Sequence, residues 1–361
     1  MEMNFPSMPT DLTIAICTYN GAARLPACLG ALANQKIPAD LSWEVLIVDN
    51  ASTDNTAEAA RELLASLALP GRVVTEGKKG KINAIRTAAV EAKGEILSYL
   101  DDDNIVEEDW GGQCMAFMRS HLRAGIIGPK IDPIFQEPAS VPADFQKRFS
   151  HALALRDMGP EPTMLVPPTS DGPPGAGLTG RTALLRTILV DIGCRLRGPT
   201  GGRVADEPGI LRHLRPTTGH GPADGEDSEI SLISRRLGWE LWYVPAMKMG
   251  HIIPASRLTN EYLDRLIANG AGAGPWLEYL RGDGKPRGRL FYFGKWAWYK
   301  LLSFKMAFLY QLRSKTAEAP KLRFWTEMCV NTASGYWDLA TQYPFAKFES
   351  ALAAARNGQS K

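Results

Sequence analysis

Through the first third of the chain, short β-rich runs alternate with stretches whose apolar positions recur every three or four residues. "LTIAICTY", "WEVLIVDN", "GRVVTE" and "EILSYLD" read as strands, and "ARLPACLGALANQ", "NTAEAARELLASL" and "INAIRTAAVEAK" between them as helices. This alternation predicts βαβ units, hence an α/β fold with a mostly parallel sheet and helices on both faces. In open sheets of this kind, ligands gather outside the carboxyl ends of the strands. Three strands end in polar residues, "TYNG", "VDNASTDN" and "DDDN", and these ends are expected to converge on one crevice.

The pattern continues with a helix in "EEDWGGQCMAFMRSHL" and a strand in "GIIGPK". Pro and Gly are dense from Gly159 to Gly177 and from Gly198 to Gly225, marking long loops or boundaries. "GEDSEISLISRRLGWELWYVPAMKMGH" opens with an acidic cluster, continues as an amphipathic helix and ends in a strand of alternating bulky residues. Asp227 or Ser228 is expected to cap that helix.

Composition narrows the class without naming a chemistry. A chain of 361 residues, 45% hydrophobic and 22% charged, is globular, and a net charge of +2 gives no reason to expect nucleic-acid binding. The five cysteines are odd in number and far apart, without CxxC spacing, so neither a disulfide framework nor a zinc site is indicated. The start "MEMNFPSMPTDL" lacks the basic and apolar regions of a signal peptide, and no window holds the roughly 18 apolar residues of a membrane span. A cytoplasmic location is expected.

The candidate chemistry lies in "LSYLDDDN", where an apolar strand runs into three aspartates. Adjacent carboxylates repel unless a cation or a set of donors sits among them. A dinucleotide site would need GxGxxG after the first strand, where this chain has "CTYNGAARLP"; "GKKGKIN" likewise fails the P-loop pattern. Phosphate is then handled by another device. Asp101, Asp102 and Asp103 supply one if they hold Mg²⁺ or Mn²⁺, which prefers carboxylate oxygen and shares a diphosphate with the protein. The bland alternative is a solvated acidic turn.

"TIAICTYNGAARLPACLGAL", "EVLIVDNASTDNT", "AKGEILSYLDDDN" and the "GEDSE…GH" block, in this order, resemble the family 2 glycosyltransferases of the GT-A fold. The resemblance spans about residues 12 to 251. It implies a Rossmann-like GT-A catalytic domain over residues 1–255, with a nucleotide-sugar half at about 10–130 and an acceptor half at about 131–255. A helical, basic-aromatic extension follows over 256–361. By resemblance Asp49 recognises the base, Thr18 and Tyr19 border base and ribose, and Lys81 and Arg86 belong to a basic segment contacting phosphate or ribose. Asp101 lies near ribose and metal, Asp102 occupies the variable middle of the DxD motif beside the nucleotide sugar, and Asp103 is the principal metal ligand. His251 matches a late histidine that reaches metal or diphosphate. Gly175, Gly177 and Arg181 resemble an acceptor-side turn and its basic residue.

The resemblance further implies transfer from a nucleotide-diphosphate sugar, UDP favoured, to a hydroxyl acceptor in polysaccharide or glycoconjugate synthesis. Such transfer needs a stabilised leaving diphosphate, which a metal supplies, and a base for the incoming hydroxyl. The family pattern places that base at Asp227, with Glu226 orienting acceptor or base, and a single inverting displacement needs no covalent nucleophile. Alternatives are transfer to a polyprenyl phosphate, which would make Asp227 less important than Asp103, and a catalytically silent sugar-nucleotide-binding scaffold.

The segment "RGRLFYFGKWAWYKLLSFKMAFLYQLR" joins nine aromatic residues to basic ones, and from Arg281 to Arg323 eleven Lys or Arg face only Asp283 and Glu318. Such a helix suits a peripheral contact at the inner face of a membrane, bringing a lipid-linked or glycan acceptor within reach. Against it, Lys295, Lys300 and Lys305 recur every five residues, which spreads them around a helix, and packing on the catalytic domain or a dimer contact is the alternative.

Overall fold

A computed structural model describes residues 10–136, 149–167, 170–192, 225–282, 287–341 and 345–359. Most of the second Pro/Gly-dense stretch and Cys194 lie outside these. The first half builds β1 (Thr10–Thr18), α1 (Leu25–Ala33), β2 (Trp43–Asp49), α2 (Thr56–Ser66), β3 (Gly71–Thr75), α3 (Lys81–Glu91) and β4 (Gly94–Asp101). Strands β3, β2, β1 and β4 lie side by side and parallel in that order. The chain moves outward from β1 to β3 and returns to β4 on β1's other side. This reversal opens a crevice at the carboxyl ends of β1 and β4.

Beyond β4 the sheet becomes mixed. Strand β5 (Asn104–Val106), α4 (Trp110–Ser120), β6 (Ala124–Gln136), β7 (Thr163–Met164), β8 (Thr179–Arg181), α5 (Thr182–Arg186, continuing as a π-turn over Thr187–Ile192), α6 (Glu226–Arg236) and β9 (Glu240–Pro254) follow. Strand β8 runs antiparallel between β4 and β6, while β9 is parallel to β6 and carries β5 and β7 antiparallel. The expected division near residue 130 falls inside β6, within one continuous nine-stranded sheet. The "GIIGPK" strand is six residues longer than its apolar run at its far end, because pairing with β9 supports it to Gln136.

Burial on both faces explains the near-continuous apolar runs of the parallel strands. Leu12, Ile14, Ile16, Val45 and Ile47 face α1 and α4, whereas Ala15, Leu46, Val48, Leu97 and Tyr99 face the opposite layer. After β9 come a 3₁₀ turn (Ala255–Arg257) and five helices: α7 (Asn260–Gly270), α8 (Gly274–Arg281), α9 (Arg289–Leu312), α10 (Ala319–Thr341) and α11 (Phe345–Gln359). Trp276, Tyr292, Tyr336 and Phe348 from these helices join the same apolar cluster as Leu97 and Ile230. The C-terminal helices thus share a core with the sheet's helical cover.

Candidate active site

At the end of β4 the three aspartates separate, and each meets its own cation. Lys81 Nζ lies 2.8 Å from Asp101 Oδ1. Arg24 grips Asp102 with two prongs, Nε to Oδ1 at 2.7 Å and Nη2 to Oδ2 at 2.8 Å, while Thr18 Oγ1 donates to Asp102 Oδ2 at 2.5 Å. Asp103 Oδ2 stands 3.5 Å from both His251 Nε2 and Arg257 Nη1. Buried Asn104 shapes the turn, its Oδ1 accepting the Asp101 N–H at 2.9 Å. The repulsion expected of "DDD" is relieved because the three carboxylates point in three directions and each has partners of its own.

Strand register joins Asp103 to His251. Antiparallel pairing of β5 with β9 sets Asn104 opposite His251, and the Ile252 N–H donates to the Asp103 carbonyl at 2.9 Å. The His251 ring sits with Nδ1 2.9 Å from the Leu153 carbonyl, a contact that places a proton on Nδ1 and turns Nε2 toward Asp103. Burial pulls the His251 pKa down, but the Asp103 carboxylate outweighs it and raises it above 6.5. For Asp103 burial pushes up, and His251 and Arg257 more than offset it, leaving the carboxyl below its ordinary range.

This donor pair fits a divalent cation of the Mn²⁺ or Mg²⁺ kind, with an oriented imidazole nitrogen beside a carboxylate oxygen and the remaining positions left to phosphate oxygens and water. Among the described residues no three His, Cys, Asp or Glu side chains converge on one point, so Asp101 does not complete a protein-only cage.

Lys81 opens α3 and stands where the two sides of the cleft meet. The pocket there is lined by Cys17, Lys81, Asp101, Gly175, Glu226 and Asp227. Burial alone would lower the Lys81 pKa; Asp101 and Glu226 raise it well beyond the ordinary lysine value, so it stays charged. Burial raises the Glu226 carboxyl, Lys81 pulls it back and Asp227 adds to the rise, for a net upward shift. Asp227 Oδ2 accepts the Gly175 N–H at 3.0 Å and Oδ1 the Ser228 N–H at 2.7 Å. Neither Asp227 nor Ser228 caps α6 as the sequence suggests. Gly225 occupies the cap at φ +151°, a backbone conformation few other residues adopt, and the helix begins at Glu226. Burial pushes the Cys17 thiol up to about 12, which keeps it protonated.

Asp49, at the end of β2 beside Thr18, is buried and its Oδ1 accepts the Ser52 N–H at 3.3 Å. Tyr19 is exposed at the mouth, with Lys79 Nζ 3.2 Å from its hydroxyl and 5.0 Å above its ring. Asn50, which the motif reading passed over, fixes the basic loop: Nδ2 donates to the Lys78 carbonyl at 2.7 Å and Oδ1 accepts the Gly80 N–H at 2.7 Å. Arg24 and Arg257 were also missed, since neither belongs to a local acidic or glycine-rich pattern.

Other expected site residues make contacts within the protein. Arg181 is buried at the far end of β4, paired with Ile96, and its guanidinium donates to the carbonyls of Met118 in the last turn of α4 and of Leu122 and Ala124 after it. It cannot serve an acceptor at Asp101's end of the strand. Gly177 is a packing residue: at φ +75°, a Cβ there would strike Pro129, Met249 and Trp110. Gly175 is the glycine that reaches the cleft. The Thr18 hydroxyl is engaged by Asp102, and Asp102 is a clamp rather than an indifferent middle residue. Arg86 lies five residues after Lys81, roughly 140° around α3, and does not line the pocket.

Residues 13–165 match the model of the family described as glycosyl transferase family 2. That segment is under half of the chain. With its sheet order, the fold is of the GT-A kind, α/β with a helical C-terminal region. The Haloferax volcanii glycosyltransferase AglE is 31% identical over 99 residues, covering 27% of this chain and 32% of that protein. A Mycobacterium bovis PGL/p-HBAD biosynthesis glycosyltransferase is 32% identical over 116 residues, covering 32% of this chain and 44% of that protein. The chain thus spans less than half the length of these curated relatives. The crystal structure of S. aureus TarS 1-349 with UDP aligns at a TM-score of 0.47 and 17% identity, covering 91% of this chain and 90% of that one. The described residues contain no helix long and apolar enough to cross a membrane.

Proposed function

We propose that this chain acts as a family 2 glycosyltransferase, moving a sugar from a nucleotide-diphosphate donor, UDP in the first instance, to a hydroxyl acceptor, with inversion at the anomeric carbon. The reaction would belong to polysaccharide or glycoconjugate synthesis, with a glycan or lipid-linked acceptor. The observation that carries this reading is the cleft itself: Asp103 faces His251, Lys81 pairs with Asp101, and Glu226 and Asp227 line the same pocket as Lys81 and Asp101.

In this reading Asp49 and Tyr19 border the base, and Asp101 the ribose. Asp103 and His251 hold Mg²⁺ or Mn²⁺, which supplies Lewis-acid stabilisation of the leaving diphosphate. Arg257 and Lys81 add fixed positive charge on the same side. Asp227 takes the proton of the acceptor hydroxyl. Its two backbone hydrogen bonds hold the carboxylate still, and each oxygen keeps a lone pair for the acceptor. Glu226 orients the acceptor beside it.

A panel of nucleotide sugars tests the reading by metal-dependent hydrolysis and by thermal stabilisation. One donor is expected to respond, and Asp103→Ala to abolish the response. Silence toward every donor, or a response unchanged in that variant, refutes it. With the donor known, Asp227→Asn separates hydroxyl transfer, which it should cripple, from transfer to a polyprenyl phosphate, which it should spare.

A further inference from the structure

Helix α9 carries an apolar face that the described fold leaves open. Leu290, Trp298, Leu301, Phe304, Phe308 and Leu312 are each 61–86% exposed. At 3.6 residues per turn they fall within about 120° of arc. The opposite face holds the buried Tyr292 and Ser303, on the side that packs against α10. A contiguous uncovered stripe of this size marks a surface of interaction.

Charge selects the occupant. Helix α9 contains four basic residues, Arg289, Lys295, Lys300 and Lys305, and no acidic one, while the whole chain carries only +2. The five-residue lysine spacing places Lys305 within the stripe's edge and Lys300 and Lys295 on its two flanks, about 100° and 120° from its centre. Lys295 lies over the Phe291 and Tyr336 rings, its Nζ 5.8 Å and 6.0 Å from their centroids. Apolar side chains along one face, with lysine ammonium groups on both shoulders, match the boundary between lipid tails and anionic headgroups.

We propose that α9 lies flat in the surface of an anionic lipid bilayer, with the stripe in the acyl boundary and the lysines on headgroup phosphates. At about 1.5 Å per residue its 24 residues make a contact some 36 Å long. Helix α9 packs on α10, α10 on α8, and α8 on α6, which carries Glu226 and Asp227. The bilayer seat is therefore joined through packed helices to the acceptor side of the cleft. It stands independently of the transfer reaction.

The test is co-sedimentation of the full chain with vesicles of phosphatidylcholine alone and of phosphatidylcholine with phosphatidylglycerol. The chain is expected to pellet with the phosphatidylglycerol vesicles at low salt and to be released as salt screens the lysines. The double variant Leu301→Glu with Phe308→Glu changes only exposed positions and should keep the parent melting temperature while binding at least about tenfold more weakly. No binding to phosphatidylglycerol vesicles, or equal binding by the variant, overturns the proposal. So does a dimer that the double variant dissolves in a chain that ignores vesicles, since a second copy would then cover the stripe.

Discussion

Asp103 and His251 face each other at 3.5 Å across β5 and β9, with the imidazole oriented by the Leu153 carbonyl. Without a cation, a proton on Nε2 serves the pair, and Asp103 raises the His251 pKa against the pull of burial. A divalent ion needs that nitrogen free, so Mn²⁺ affinity should climb as pH rises through the elevated His251 value, above 6.5, and level off beyond it. Titration calorimetry with Mn²⁺ at several pH values reads the slope. His251→Gln should flatten it and weaken binding at least about tenfold. A parent chain whose Mn²⁺ affinity ignores pH would remove His251 from the proposed metal site.

Asp102 makes a different demand. Its carboxylate ties Thr18 on β1 to Arg24 before α1, and its side chain is only 10% exposed. Asp102→Ala should cost about 1–3 kcal/mol of stability, mostly through the buried Thr18 contact, since the half-exposed Arg24 is screened by solvent. Asp102→Asn, which keeps an oxygen for either partner, should cost less. Urea denaturation of the two variants provides the comparison, and an unchanged midpoint for the alanine variant would show the clamp to be idle.

The parallel half of the sheet and the meeting of its polar ends were legible because burial on both faces writes near-continuous apolar runs. The β1 registers then place Cys17 beside Asp101 and Thr18 beside Asp49. What escaped reading depended on pairing between distant segments. Strand β8 has only three residues, and its antiparallel direction decides that Thr179 sits beside Ser98 while Arg181 is carried to Ile96, away from the cleft. Strand β5 is as short, yet it delivers His251 to Asp103. The separate fates of Asp101, Asp102 and Asp103 follow from Lys81, Arg24 and Arg257, which no local periodicity connects to them.

Arg181 should behave as a structural cation. Burial lowers its pKa, and its guanidinium satisfies backbone carbonyls in the last turn of α4 and just after it. Arg181→Met would fill much of the volume while stranding those carbonyls, at a cost of roughly 2–4 kcal/mol. The melting temperature should drop, whereas the acceptor KM of the folded fraction should hold. A raised KM with parent stability would return Arg181 to the acceptor site.

Glu229 gives the fold its own pH dependence. The residue is fully buried on α6; Oε1 accepts the Trp276 N–H at 2.8 Å, and Oε2 has no hydrogen-bond partner among the described residues. Burial raises its pKa well above the ordinary 4.5, the Trp276 N–H opposes the rise, and Glu226 adds to it. The folded chain therefore keeps a proton that the unfolded chain releases above about 4.5, so this residue's contribution to stability falls as pH rises from there toward the folded pKa. Glu229→Gln preserves an acceptor for Trp276 and removes the linked proton. The variant should melt higher than the parent near pH 8, and the gap should narrow toward pH 5. Titrations at Asp103 and His251 are common to both chains and largely cancel in the difference, which reads Glu229 together with its coupling to Glu226. Melting curves that stay parallel across that range would mean that the buried carboxyl carries no linked proton.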